Sequence, residues 1–135
     1  MPTSLKVMLG VTDLLFLSYW GVSGLYVLGI MNVPESMLYA NYHDLRVFAW
    51  NWSFLPLDVI FSVTGLMAIT AANRGRPWWP SLALISLVLS SAAGGMAISY
   101  WIILCEFDPS WFLPNLVLFL WPLFFIRGIF MRMSR

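Results

Sequence analysis

Side chains that carry chemistry are scarce in this chain of 135 residues. There is one cysteine, Cys105, so no intramolecular disulfide can form and cysteine usage says nothing of redox compartment. There is one histidine, His43. A two-cysteine or Cys/His metal site is excluded by count, and neither a metal nor another cofactor is expected. Charged residues make up only 10% of the chain, against about a quarter in soluble domains. Seven Lys and Arg against six Asp and Glu leave a net charge of +1, with no dense basic block. Nucleic-acid binding therefore has no electrostatic footprint, and a polybasic lipid-surface motif is missing. No nucleophile–base pair stands out, which disfavours hydrolysis. Internal repeats and low-complexity stretches are absent as well.

What is present is apolar. Hydrophobic residues make up 61% of the chain and mean hydropathy is +0.83. A chain this short leaves much of its surface outside any core, so such a composition calls for lipid as the main solvent. A membrane helix needs about 20 mainly apolar residues. Four such runs can be read, at roughly residues 7–31, 47–72, 79–104 and 111–131. The expected fold is an all-α integral membrane protein, an antiparallel four-helix transmembrane bundle forming one domain over residues 1–135. The N-terminal run is too long for a signal peptide, contains Asp13 and lacks a small-x-small cleavage site, so it reads as a retained first span.

Boundary signals agree with these spans. Asn73-Arg74-Gly75-Arg76-Pro77 breaks the chain between spans two and three. Asp108-Pro109-Ser110 reads as an N-cap with Pro at the first helical position, and Asp44 as the N-cap of span two. Pro34-Glu35-Ser36 is expected to open a short interfacial helix. Lys6, Arg74, Arg76, Arg127, Arg132 and Arg135 fall on one side of the alternating spans, while the other connections hold Glu35, Asp44, Glu106 and Asp108 with Arg46 alone. The positive-inside rule then puts both termini and the middle loop in the cytoplasm. Trp50, Trp52, Trp78, Trp79, Trp101 and Trp111 lie near span ends and read as interface anchors, with Trp20 and Trp121 deeper. Ser90-Ser91-Ala92-Ala93-Gly94-Gly95 is a small-residue run for close helix packing, with Gly21 and Gly24 as its expected partners.

Polar residues inside apolar spans are the informative positions. Asn51, Asp58 and Gly65 recur at seven-residue intervals, and Ser62 follows Asp58 by four. They share one helix face, which is expected to turn into the bundle. Asp58 lies roughly 17 Å from the outer end of its span, near the bilayer centre, where desolvation opposes a charge. No basic residue lies at that depth. Ser62, Ser90, Ser91 or Tyr100 are candidates to hydrogen-bond it. Pro56 deprives the Trp52 carbonyl of its helical donor, and Ser53 is placed to replace it. Asp13 lies roughly 10 Å from the inner end, level with Arg127, and either pairs with it or lines a pocket with Asp58. Near the outer surface, Tyr42, His43, Asp44, Arg46, Asn51, Tyr100, Cys105, Glu106, Asp108 and Asn115 either converge on a mouth above Asp58 or act as caps and surface ion pairs.

The run Tyr42-His43-Asp44, followed by AWNWSFLPLD at residues 49–58, resembles the YvaD-like family of small bacterial membrane proteins. Residues 82–89, Ala97-Ile98-Ser99, Cys105 to Pro109 and Pro114-Asn115 are similar too, so the likeness covers nearly the whole chain. The resemblance implies a bacterial cytoplasmic membrane and carries over no catalytic residue. At the level of fold alone, acids on the first two spans amid aromatics are similar to four-helix sterol isomerases and sigma-2-type receptors.

Three functions stay open. In the first, Asp58 with Asn51, Ser62, Trp52, Trp20, Tyr100, Trp101 and Asn115 forms an acidic, aromatic pocket for an apolar or cationic small molecule. In the second, Asp58 with Asp13 or Glu106 performs acid–base chemistry on a lipid or isoprenoid, as an isomerase or cyclase. In the third, the chain is a subunit of a proton-coupled exporter, for which a homodimer is the natural assembly. The bilayer is a partner in all three.

Overall fold

A computed structural model describes residues 1–34, 39 and 41–134. The described residues are helical wherever they are regular. In chain order the helices are α1 (Thr3–Val27), α2 (Leu45–Ser53), α3 (Leu55–Asn73), α4 (Trp79–Leu104), α5 (Pro109–Leu120) and α6 (Leu123–Met133). α2 continues into α3 and α5 into α6, so the chain forms four long apolar segments: Thr3–Val27, Leu45–Asn73, Trp79–Leu104 and Pro109–Met133. Each has at least 25 residues and reaches about 37 Å or more, beyond the roughly 30 Å of a bilayer core. The antiparallel four-helix architecture expected from the sequence is the one observed. The short helix expected from Pro34-Glu35-Ser36 lies outside the described residues.

Local chemistry places the helix ends. Asp44 caps α2: its Oδ1 accepts from the backbone N–H groups of Arg46, at 2.7 Å, and Val47. Asp108 caps α5, accepting from the N–H of Ser110 at 3.0 Å and from its hydroxyl at 2.6 Å, with Pro109 the first helical residue. Gly29 ends α1 and Gly75 ends α3, each in the left-handed region. In both turns the two following N–H groups fold back onto carbonyls of the last helical turn, Gly29 to Tyr26 and Ile30 to Leu25, Gly75 to Ala72 and Arg76 to Ala71. α1 therefore stops before the apolar run does.

α3 and α4 form the central pair. α1 packs on α3, while α5 and α6 pack on α4. Leu5, Leu9, Ala68, Ala71, Ala83, Leu87 and Ile129 make a tight apolar core at the end that carries the chain termini. At the other end α1 and α5 are held apart, bridged by the Tyr19 and Trp111 rings at 6.2 Å. Leu14, Leu15, Ile60, Ile85, Ile103 and Phe124 are exposed on the outside of the helices. Such a girdle of large apolar side chains belongs against lipid, and the protein is a multi-pass membrane protein whose helices contact the bilayer.

Because lipid is as apolar as the core, close packing and hydrogen bonds hold these helices together. Gly94 is the glycine at which two helix backbones come closest. A Cβ there would lie 2.5 Å from the Phe119 nitrogen and 2.7 Å from the Asn115 carbonyl oxygen, so α4 and α5 touch backbone to backbone. Beside it the Ser91 hydroxyl donates to the Phe119 carbonyl at 2.9 Å, in the last turn of α5 before the break at Trp121-Pro122. The small-residue run of α4 thus packs against α5. The expected partners on α1, Gly21 and Gly24, have nothing within 4 Å of a Cβ position. At this level α1 and α4 face one cavity, with Phe16 and Trp20 on one wall and Ala93 and Ala97 on another.

Candidate functional site

The site begins at the break between α2 and α3. Phe54 interrupts the helix, and Pro56 occupies the first turn of α3, where its missing N–H has no helical partner to serve. The N–H groups of this turn return to the Asn51 and Trp52 carbonyls, so the Trp52 carbonyl is not orphaned as the sequence reading expected. Ser53 donates to the Trp50 carbonyl at 2.6 Å instead, one turn back along its own helix. Trp50, Asn51 and Phe54, around the break, face the same space as Asp58.

Asp58 is buried, in the first turn of α3. Its Oδ2 accepts from Trp20 Nε1 on α1 at 2.9 Å, and its Oδ1 is buried with no hydrogen-bond partner. Of the residues proposed as its donors, Ser62 Oγ is buried without a hydrogen-bond partner, and the other three are engaged elsewhere. Ser90 donates to the Ser86 carbonyl at 2.8 Å, Ser91 to Phe119, and Tyr100 stacks on Trp50 with ring centroids 3.9 Å apart. A serine hydroxyl reaches little beyond its own helix or a touching one, whereas an indole spans the gap from α1.

Above Asp58 lies a cavity of about 270 Å³. Its walls are Tyr19 and Trp20 from α1, Trp50, Asn51 and Phe54 from the α2 region, Tyr100 and Trp101 from α4, and Trp111, Asn115 and Leu118 from α5. Glu106 and Tyr39 border it from the connections. The Tyr19 hydroxyl donates to Asn51 Oδ1 at 3.2 Å, and Asn51 Nδ2 is buried without a partner. Asn115 donates to the Trp111 carbonyl at 2.7 Å. Burial, helped by Tyr19 and Tyr26 nearby, pushes the Tyr39 phenol up to about 12, so it remains a neutral hydroxyl. A second cavity of about 360 Å³ lies between α1 and α2 behind Tyr19, and it contains Trp52, Ser23, Tyr26 and Tyr42. Trp20 and Trp52 meet edge to face between the two, with centroids 5.2 Å apart.

Residues 5–135 match the family described as "Family of unknown function (DUF5360)". This chain belongs to that family. It is also 40% identical over 123 residues to the uncharacterized protein YvaD of Bacillus subtilis (strain 168), over 91% of this chain and 89% of that one. The likeness read from residues 49–58 is borne out. No solved structure matches the chain.

In this DUF5360 chain six of the eight residues proposed for a ligand line the cavity above Asp58: Asp58, Asn51, Trp20, Tyr100, Trp101 and Asn115. Trp52 borders the second cavity instead, and Ser62 lies below the first, fully buried. Asp13 does not border that cavity with Asp58, and it does not pair with Arg127. Its carboxylate is fully buried against Gly65 and Ser86 with neither oxygen partnered, whereas Arg127 is exposed. A guanidinium near a helix end keeps its charge at the surface more cheaply than it follows an acid into the core. Asp44 and Asp108 of the expected mouth are consumed as caps, and Cys105 is exposed at the end of α4. Trp50 and Trp111, read as interface anchors, are cavity walls. Tyr19, which holds Asn51, carries no motif signal in the sequence. The one hint was its place beside Trp20, and which residue of such a pair turns inward depends on the neighbouring helix.

Proposed function

We propose that this protein binds a small, largely apolar molecule with a cationic or hydroxyl end in the cavity above Asp58. One observation carries this reading. Asp58 Oδ1 and Asn51 Nδ2, an acceptor and a donor, are both buried and unpartnered at an otherwise aromatic cavity. Each unmatched buried group costs about 1–3 kcal/mol, which a ligand donor at Asp58 and a ligand acceptor at Asn51 would recover. The aromatic walls add cation–π attraction for an ammonium group. At about 270 Å³ the cavity suits a compact molecule, since ligand sites run from roughly 300 to 1,000 Å³.

The concentration of Lys6, Arg74, Arg76, Arg127 and Arg132 at the end with the termini supports a cytoplasmic position for that end, in a bacterial cell membrane. The cavity then faces the outer leaflet, and a ligand reaches it between α1 and α5. Asp58 sits deep within its span in this arrangement.

Thermal unfolding in detergent, with a series of amphiphilic amines, tests the reading. A ligand at 100 times its Kd stabilises the wild type by about 2.7 kcal/mol. Asp58→Asn should lose most of that shift. Equal shifts in both proteins, the signature of partitioning into any apolar surface, would sink the proposal.

A second reading has its own support, because Glu106 borders the same cavity as Asp58. Two carboxyls around one apolar space suit acid–base isomerisation of a lipid or isoprenoid. Lipid and isoprenoid profiles left unchanged by overexpression would count against it.

A further inference from the structure

One to two helical turns below the cavity floor is a second group of polar atoms, which ligand binding does not use. Asp13, on α1, has both carboxyl oxygens buried and unpartnered. It fits because residue 65 has no side chain. A Cβ on Gly65 would collide with Asp13 Oδ2 and would lie 2.9 Å from Ser86 Oγ on α4. The acid and the hydroxyl therefore flank one spot, within reach of a single bridging water. Ser86 Oγ and Ser62 Oγ are also buried without partners. Ser62 lies three residues before Gly65 and four after Asp58, so all three share one face of α3. From Asp58 to the level of Gly65 the column spans about 10 Å.

Five buried, unpartnered oxygens thus run from the cavity floor to Asp13: Asp58 Oδ1, Ser62 Oγ, Ser86 Oγ and the two of Asp13. Beyond Asp13 the fully buried Leu9, Ala68, Ala83 and Leu87 close the way to the end with the termini. A carboxyl, a hydroxyl and a second carboxyl in sequence have the donor and acceptor pattern of a proton chain. A bound sodium ion fits less well. It would find one carboxylate and two hydroxyls, while helical carbonyls are committed to the helix.

We infer that Asp13 is a second proton-carrying carboxyl, which exchanges its proton with Asp58 through Ser62 and bridging water. In the transfer, the Asp13 O–H bond breaks and its proton passes by water to the Ser62 oxygen. Ser62 releases its own hydroxyl proton to the Asp58 carboxylate. One proton has moved, Asp13 is left as the carboxylate, and the serine is unchanged. Asp13 meets water only by way of the cavity.

Infrared spectroscopy of the protein in lipid nanodiscs at neutral pH, followed through transfer to D2O, tests this without any ligand. Asp13→Asn should remove one carboxylic-acid C=O band. In the wild type that band should shift rapidly on deuteration. Ser62→Ala should keep the band but slow its shift by about tenfold, the effect on a barrier of one lost hydrogen bond. Ser86→Ala, which deletes one oxygen, should change the frequency of the same band even if Asp13→Asn fails to fold. A band that survives Asp13→Asn, or that is missing from the wild type because the carboxylate holds a sodium ion, overturns the inference. So does exchange as fast in Ser62→Ala as in the wild type, or a frequency unmoved by Ser86→Ala. The amine-binding experiment is independent, so either idea can fail alone.

Discussion

Gly94→Ala should be among the most damaging single-methyl additions in this protein. The new Cβ would lie 2.5 Å from the Phe119 nitrogen, 2.7 Å from the Asn115 carbonyl oxygen and 2.9 Å from the Phe119 Cα. All three are backbone atoms and cannot rotate away. To restore a normal contact of about 3.5 Å, α4 and α5 must separate by about 1 Å. A gap of that size forfeits about a quarter to a half of the dispersion energy at the contact. It also stretches the Ser91–Phe119 hydrogen bond from 2.9 Å to a length at which it no longer counts. Overpacking costs about 1–3 kcal/mol and the hydrogen bond about 0.6 kcal/mol in a membrane setting, so the expected loss is about 1.6–3.6 kcal/mol. Two internal controls come from the same structure. At Gly95 a Cβ would meet only the Phe119 ring, at 3.2 Å, and at Gly128 it would meet nothing within 4 Å. The assay is reversible unfolding from mixed micelles with increasing denaturing detergent. Gly94→Ala should be clearly less stable than Gly95→Ala, and Gly128→Ala should be neutral or slightly stabilised by its better helix propensity. If Gly94→Ala fell within about 0.5 kcal/mol of Gly128→Ala, the backbone contact would be refuted. So would the position of the α5 wall of the cavity, which that contact sets.

Other consequences can be checked with the same unfolding assay. Trp20→Phe removes the donor to Asp58 and should cost about 1.5–3 kcal/mol, falling below about 1 kcal/mol in an Asp58→Leu background; equal costs in both backgrounds would mean that the indole only packs. Gly65→Ala drives a methyl into the Asp13 carboxyl and the Ser86 hydroxyl and should cost about 1–3 kcal/mol, with much of it recovered by Asp13→Ala; no recovery would place the strain elsewhere. Asp44→Ala should destabilise by about 1 kcal/mol through loss of the α2 cap, and Asp44→Asn or Asp44→Ser should restore most of that; a loss unchanged by these capping residues would point to charge rather than capping. Tyr19→Phe frees Asn51 Oδ1 and should alter amine binding with little loss of stability; binding identical to wild type would remove Asn51 from the ligand's contacts.

Much of this protein is written along single segments. Four apolar runs, the caps at Asp44 and Asp108 and the stop at Gly75 follow from hydropathy and local backbone chemistry. The inward face of Asp58, Ser62 and Gly65 follows from helical period alone. Such features need only a residue's neighbours in sequence. The relations between helices were a different matter. Asp58 is held by Trp20 rather than a serine, Asp13 nests against Gly65 rather than Arg127, and Gly94 meets α5 rather than α1. Trp50 and Trp111 turn from expected anchors into cavity walls once α1 and α5 stand apart. In water, apolar faces would have announced which sides of the helices meet. In lipid, α3 and α4 are apolar on every side apart from a few polar positions, so hydropathy cannot tell a neighbouring helix from the bilayer. Close backbone approach and buried hydrogen bonds make that choice, and both exist only when the helices are assembled.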